Sequence, residues 1–286
     1  MIEINKIYHD DCLHLLPMID DGSVDVILTD PPYLYLKNQK LDRKFNENEF
    51  FKECYRVLKD EGFIAVFGRG ESFYRWNVIM SSIGFKFKEE IIWDKRRPAS
   101  GLNPITRQHE TISVYTRKNG KIRRVFIPYL EKKLELNLIA NDIKRLRVIF
   151  KDNKKINTVL SFIETGNRGY TNVQKRTNHV TVQGGVKDFP REVGIIQSMN
   201  KGCVESDVMT IVKNAYKAIH PTEKPIRLLE RILAVISDDG ALVLDPFCGG
   251  GSTCEAARNL GRNYIGIEID EEYYNAAVNR MTSTLF

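Results

Sequence analysis

Long apolar runs are missing from this sequence: nothing in its 286 residues approaches the roughly 18 consecutive apolar positions of a membrane span. The opening segment, Met1-Ile2-Glu3-Ile4-Asn5, has no basic patch ahead of an apolar stretch, so a secretory leader is not indicated and a cytoplasmic location is expected. Cysteine is sparse. Cys12, Cys54, Cys203, Cys248 and Cys254 are odd in number and scattered, with no Cys-x-x-Cys pair and no histidine at ligand spacing, which argues against a disulfide framework and a zinc site. Hydrophobic residues make up 42% and charged residues 28% of the chain, the balance of a soluble globular protein. Its length suffices for one α/β core plus a smaller module.

Charge is unevenly spread. Residues 117–213 hold 20 Lys and Arg against 9 Asp and Glu, a net of +11 that leaves −5 for the remainder of a chain whose total is +6. A basic segment set into a mildly acidic body suits a polyanionic partner, although such a segment is also compatible with a plain solvated surface.

The flanking regions alternate helical and strand patterns. Lys6 to Leu13 reads as a short strand running into a turn, Leu13, Leu15, Leu16 and Ile19 as a brief helix, and Val24 to Leu28 as a buried strand. Phe50, Phe51, Cys54, Tyr55, Val57 and Leu58 keep helical spacing, Gly62 punctuates, and Phe63 to Phe67 is a strand. A second repeat runs from a helix over 73–83, stopped at Gly84, to a strand over 87–93, and Glu110 to Tyr115 adds another strand. This alternation predicts a mainly parallel sheet covered on both faces. From Arg117 the rhythm stops: leucines and isoleucines over 129–150 predict an amphipathic basic helix, followed by turn-prone, donor-rich stretches between Gly166 and Gly185. The sheet is expected to resume near Tyr216, with a helix over 227–236 opened by Pro225.

Two segments carry chemistry. Asp30-Pro31-Pro32-Tyr33 follows the strand ending at Leu28. Consecutive prolines have no N–H to donate and fix their own φ, so the loop is stiff and its carbonyls point outward. A carboxylate, two stiffened backbone acceptors and an aromatic ring suit a flat substrate bearing an amino group, such as a nucleobase. Only the ring of Tyr33 is needed for stacking. The second segment runs from a strand over 241–244 through Asp245-Pro246-Phe247-Cys248-Gly249-Gly250-Gly251-Ser252-Thr253 into a helix over 254–260, then to a strand over 264–267 ending at Glu268. Glycines let backbone approach a ligand closely, a helix N-terminus offers free N–H groups, and an acid at the end of the next strand accepts ribose hydroxyls. A dinucleotide site is the rival reading, but its third glycine would fall where Cys254 stands.

Asp30-Pro31-Pro32-Tyr33 behind such a strand, with Asp-Pro-Phe-x-Gly-x-Gly further on, resembles the S-adenosylmethionine-dependent DNA amino-methyltransferases, which act on the exocyclic nitrogen of adenine or cytosine. The resemblance covers 1–116 and 214–286, and the catalytic motif precedes the cofactor motif, the order of the β class. It implies a Rossmann-like methyltransferase core with a seven-stranded sheet, split into a catalytic half (1–116) and a cofactor-binding half (214–286) around a target-recognition insert (117–213). Asp30, Pro31, Pro32 and Tyr33 are then the catalytic residues. Asp245, Pro246, Phe247, Gly249, Gly251, Ser252, Thr253 and Glu268 are expected at the S-adenosylmethionine site, with Asp30 beside them. Asp11, with Asp10 as competitor, matches the acid that touches the cofactor's adenine, and a helix-capping role for it is compatible with that. His220-Pro221-Thr222-Glu223-Lys224-Pro225 resembles the family segment beside the cofactor, which makes Thr222 and Lys224 candidates for its carboxylate.

Carbon-5 cytosine methylation needs a cysteine nucleophile after proline, and no cysteine here follows one. Between the amino nitrogens, the family associates Asp at position 30 with adenine, leaving cytosine N-4 as the alternative. A methyltransferase-like subunit that holds DNA without chemistry is the rival from another class. The implied partners are double-stranded DNA and a cognate restriction endonuclease, with the chain as a monomer or homodimer. In the loop from Asp94 to His109, basic residues suit phosphates, and His109 reads as a structural or substrate-orienting residue rather than a general base.

Overall fold

A computed structural model of the chain describes residues 2–33, 43–96, 106, 108–128, 136–149, 151, 156–157, 159–160, 191–212 and 223–283. The chain forms two compact units, Met1–Arg123 with Ser206–Phe286, and Arg124–Glu205.

The first unit is built on one sheet. Its strands are β1 (Lys6–His9), β2 (Val24–Thr29), β3 (Leu58–Gly68), β4 (Lys86–Asp94), β5 (His109–Thr116), β8 (Val208–Thr210), β9 (Leu242–Asp245) and β10 (Asn263–Glu268), in the spatial order β1-β10-β9-β2-β3-β5-β4-β8. All pairs are parallel except the two made by β5, which runs against both β3 and β4. Among the described residues the sheet therefore has eight strands where seven were expected. The eighth, Val208–Thr210, is three residues long, with Val208 exposed and Met209 buried, too short for its alternation to register as a period.

Local sequence explains the helices. α1 (Cys12–Leu15) is capped by Asp11, whose carboxylate accepts the Leu13 N–H at 2.8 Å. α2 (Glu47–Val57) buries Phe50, Phe51, Cys54 and Val57 on one stripe, and β3 begins at its very next residue, Leu58. α3 (Gly70–Ile83) ends on Gly84, at φ +115°, a left-handed cap that a side chain would oppose. Gly68 is required for a different reason. A Cβ there would lie 1.9 Å from the Phe73 ring, so only glycine lets α3 pack so closely over the end of β3. α6 (Ile226–Ile236) begins with Pro225 at its cap position and buries Leu228, Leu229, Ile232, Leu233 and Ile236. α7 (Ser252–Asn259) follows β9, and α8 (Glu271–Ser283) follows β10. Leu16, Val24, Ile27, Phe50, Phe51, Ile64, Trp76 and Met80 are fully buried in one core, each contributing about 1.5–3 kcal/mol of apolar burial.

The second unit contains β6 (Phe126–Ile127) paired antiparallel with β7 (Cys203–Val204), α4 (Leu136–Ile149) and α5 (Arg191–Lys201). α4 occupies the region of the expected basic helix, exposing Lys144, Arg145 and Arg147 and burying Asp142. The donor-rich stretches between Gly166 and Gly185, and the expected strand near Tyr216, lie outside the described residues. No described helix is long and apolar enough to cross a membrane.

Candidate active site

The topology brings distant segments to one edge of the sheet. β1, β2, β9 and β10 deliver the residues at their carboxyl ends there: Asp10 and Asp11, Asp30, Asp245, and Glu268. β4 ends there with Lys95 following it. Because β5 is antiparallel, its first residues reach the same edge, with Glu110 opposite Trp93 and His109 opposite Asp94. Ligands of open α/β sheets bind along that edge, and here it carries a cavity of about 390 Å³.

Asp11, Asp30, Pro31, Pro32, Tyr33, Lys224, Asp245, Pro246, Phe247, Gly249, Ser252, Thr253 and Glu268 all line this cavity, and so does Asp10. Gly251 does not. It supports the loop from behind at φ +79°, where its N–H donates to the Cys248 carbonyl at 2.8 Å. Thr222 lies outside the described residues.

At one end of the cavity, Glu268 is buried and its carboxylate is fixed by backbone. Oε2 accepts the Gly249 N–H at 2.9 Å and Oε1 accepts the Asp270 N–H at 2.8 Å. Burial pushes its carboxyl upward, and these N–H groups offset part of the shift. Asp245 is more perturbed: burial lifts it to about 7, against the opposing influence of the Thr253 and Thr29 hydroxyls and the Phe247 N–H. Phe247 packs against Phe45 and Phe50, with ring centroids 5.2 Å away in both cases. Phe45, just ahead of α2, thereby becomes part of the cavity wall.

At the other end, the Tyr33 hydroxyl donates to Asp30 Oδ1, and the Lys224 ammonium bonds Oδ2. The hydroxyl, idle in the sequence reading, thus has a partner. The Tyr33 ring lies 5.9 Å from Trp76, and its carbonyl accepts the Ser72 hydroxyl at 2.6 Å. Lys224 also lies 3.1 Å from Glu110, whose other oxygen bonds Lys95. Burial raises the Asp30 carboxyl; Lys224 opposes the rise and the Glu110 charge adds to it. For Glu110, burial would raise the carboxyl, but Lys224 and Lys95 together bring it below its ordinary value. Burial would lower the Lys224 ammonium, and the two carboxylates overcome this and raise it. Glu110 escaped sequence reasoning as a site residue: its only signal was a strand start, and the antiparallel register that aims it inward is not written locally. Lys95 was read as one of the basic residues of its loop, and in the structure it pairs with Glu110.

The model of the N6/N4 family, described as DNA methylase, matches residues 24–279. The chain belongs to that family. DNA methylases of this family depend on S-adenosylmethionine. The chain is similar to the Type II methyltransferase M.HinfI of Haemophilus influenzae, at 27% identity over 97% of this chain and 68% of the relative. Among solved structures, the M1.HpyAVI complex with S-adenosylmethionine shares the fold at a TM-score of 0.56 and 21% identity, over 96% of this methylase and 98% of that chain. The cytosine-N4-specific PvuII DNA methyltransferase does so at 0.59 and 14% identity, over 100% and 89%.

Proposed function

We propose that this DNA methylase transfers a methyl group to the exocyclic N-6 of an adenine taken out of duplex DNA. The reading is carried by Asp30, a carboxylate rather than a neutral acceptor, which faces the cavity beside the Pro31 backbone. A base amino group has two N–H donors, and Asp30 with the Pro31 carbonyl supplies two acceptors. Such a nitrogen shares its lone pair with the ring and is unreachable inside a duplex, so the base must be flipped. The Tyr33 ring receives its face. Two acceptors pull the nitrogen toward tetrahedral geometry and concentrate negative charge where positive charge develops. Asp30 is also the carboxylate within reach of the proton the nitrogen sheds.

The residues at the other end fit S-adenosylmethionine by their chemistry. Each Glu268 oxygen is fixed by one backbone N–H and retains acceptor capacity for a ribose hydroxyl. Phe247, Pro246 and Ile269 offer apolar surface to a ring, and Asp11 an acceptor for its amino group. Asp245, Gly249, Ser252 and Thr253 would hold the remainder, with Gly251 shaping their loop. When bound, the cofactor supplies an electrophilic methyl group on a sulfonium.

The unit Arg124–Glu205 carries 15 Lys and Arg against 8 Asp and Glu, which supports the role of DNA-reading insert for it. In this reading a cognate restriction endonuclease is a partner. The deciding test is incubation of the full chain with labelled S-adenosylmethionine and duplex DNA, followed by nucleoside analysis. N6-methyladenine is expected. N4-methylcytosine would overturn the choice of base, and no label in DNA would overturn the activity.

A further inference from the structure

The cavity holds four alternating charges that the reading above uses only in part. Asp30, Lys224, Glu110 and Lys95 follow one another as a chain of ion pairs, their side chains retaining 21%, 8%, 14% and 19% of their surface. Lys224 Nζ also stands 4.9 Å from the centroid of the Phe67 ring. Both Asp30 oxygens are already engaged, one by the Tyr33 hydroxyl and one by Lys224. A neutral base amine competes poorly for such an acceptor, because the ammonium adds the attraction of opposite charges to its hydrogen bond.

We propose that Glu110 is a positioning residue for methyl transfer, drawing Lys224 away when a base amino group arrives and so leaving the Asp30 carboxylate to accept the base. The inference rests on the methyltransferase reading. Glu110 is placed for this role, with Oε2 at 3.1 Å from Lys224 Nζ and its other oxygen anchored by Lys95. An ammonium has three donors, so Lys224 can pass between the carboxylates without losing every partner. The move also matters electrostatically. A lysine left on Asp30 would set a positive charge beside a nitrogen that is itself becoming positive, and its transfer to Glu110 relieves that opposition.

The groups facing Asp30 are Tyr33 from its own loop, Lys224 from the segment before α6, Glu110 from β5 with Lys95 behind it, and Asp245 from β9. The test compares the full-length wild type with Glu110→Gln and Lys224→Met, measuring kcat against pH at saturating cofactor, KM for duplex DNA, and cofactor affinity by calorimetry. Glu110→Gln should raise KM for DNA and lower kcat about tenfold, on the scale of one charge-assisted bond, with cofactor affinity within a few fold. Its acid limb should move to lower pH, since a like charge is gone and Lys224 rests on Asp30 alone. Lys224→Met should move the limb the opposite way, by about 1–3 pH units. Glu110→Asp, which keeps the charge, should return the limb toward the wild-type position. Asp245 is common to all variants and cancels.

The same two directions are expected for the Asp30 carboxyl titration followed by carbon-13 NMR without DNA, so a variant too weak to assay still reports. Coincident acid limbs in an active wild type and its variants, or shifts of one sign in both, would overturn the positioning role alone. A wild type that methylates no duplex would overturn the function and this role with it.

Discussion

Replacing Asp245 by Asn should remove a pH-dependent loss of stability. Asp245 is 4% exposed, and burial lifts its carboxyl from 3.8 to about 7. In the unfolded chain the same group ionises near 3.8, so between these values the folded state binds the extra proton. Stability from this group is therefore complete below pH 3.8, falls as pH rises, and is lost once pH passes 7. The size is the shift multiplied by the free energy of one pKa unit, about 4 kcal/mol. Asn has the shape of the protonated acid, keeps an acceptor for the Phe247 N–H, which lies 3.2 Å from Asp245 Oδ1, and does not ionise. Urea unfolding of both proteins without cofactor, followed by tryptophan fluorescence, isolates the effect. Trp76 and Trp93 are the two tryptophans, and both are buried in the unit that holds the sheet. The stability difference, Asp245→Asn minus wild type, should grow by about 4 kcal/mol between about pH 4 and pH 8. Titrating groups that do not interact with Asp245 cancel in that difference, and Asp30, whose charge adds to the Asp245 rise, is the neighbour that does not. A difference that stays constant with pH would refute the burial argument for this carboxylate.

Glu268→Ala should weaken S-adenosylmethionine by about 1.5–3 kcal/mol through loss of charge-assisted hydrogen bonds, and unchanged affinity in calorimetry would remove Glu268 from that site. Tyr33→Phe keeps the ring but loses the hydroxyl that donates to Asp30, so single-turnover methylation should slow by up to about 1.5–3 kcal/mol, whereas Tyr33→Ala should in addition impair base capture. If the basic unit grips phosphates, DNA affinity should fall with salt at a slope of about 0.9 per neutralised phosphate, and a flat salt titration would contradict that role.

Legibility in the sequence followed locality. Asp30 to Tyr33, Asp245 to Thr253 and Glu268 each stand at the end of a recognisable strand, so adjacency in sequence already places them at an edge of the sheet. Asp11 was legible both as a helix cap and as a cavity residue, and the structure gives it both positions. Glu110 was not legible as a site residue. It faces the cavity because β5 slots antiparallel between β3 and β4, a pairing set by contacts far apart in the chain. Lys224 shows the same limit from the other side. Its segment was recognisable, but its ion pairs with Asp30 and Glu110 depend on segments whose residues lie more than a hundred positions away. The eighth strand escaped because three residues carry no period.

The place of β9 in the sheet has a consequence for biosynthesis. Val26 and Ile27 of β2 pair on one side with β3, made soon afterwards, and on the other with Val243 and Leu244 of β9. At translation rates of about 5–20 residues per second, some 10–40 s separate the two strands. Through that interval the nascent chain presents an unpaired apolar strand edge at what becomes the middle of its sheet, a surface prone to pairing with other chains. The segment Asp30-Pro31-Pro32-Tyr33, at the end of β2, thus waits for a strand made much later to close its flank.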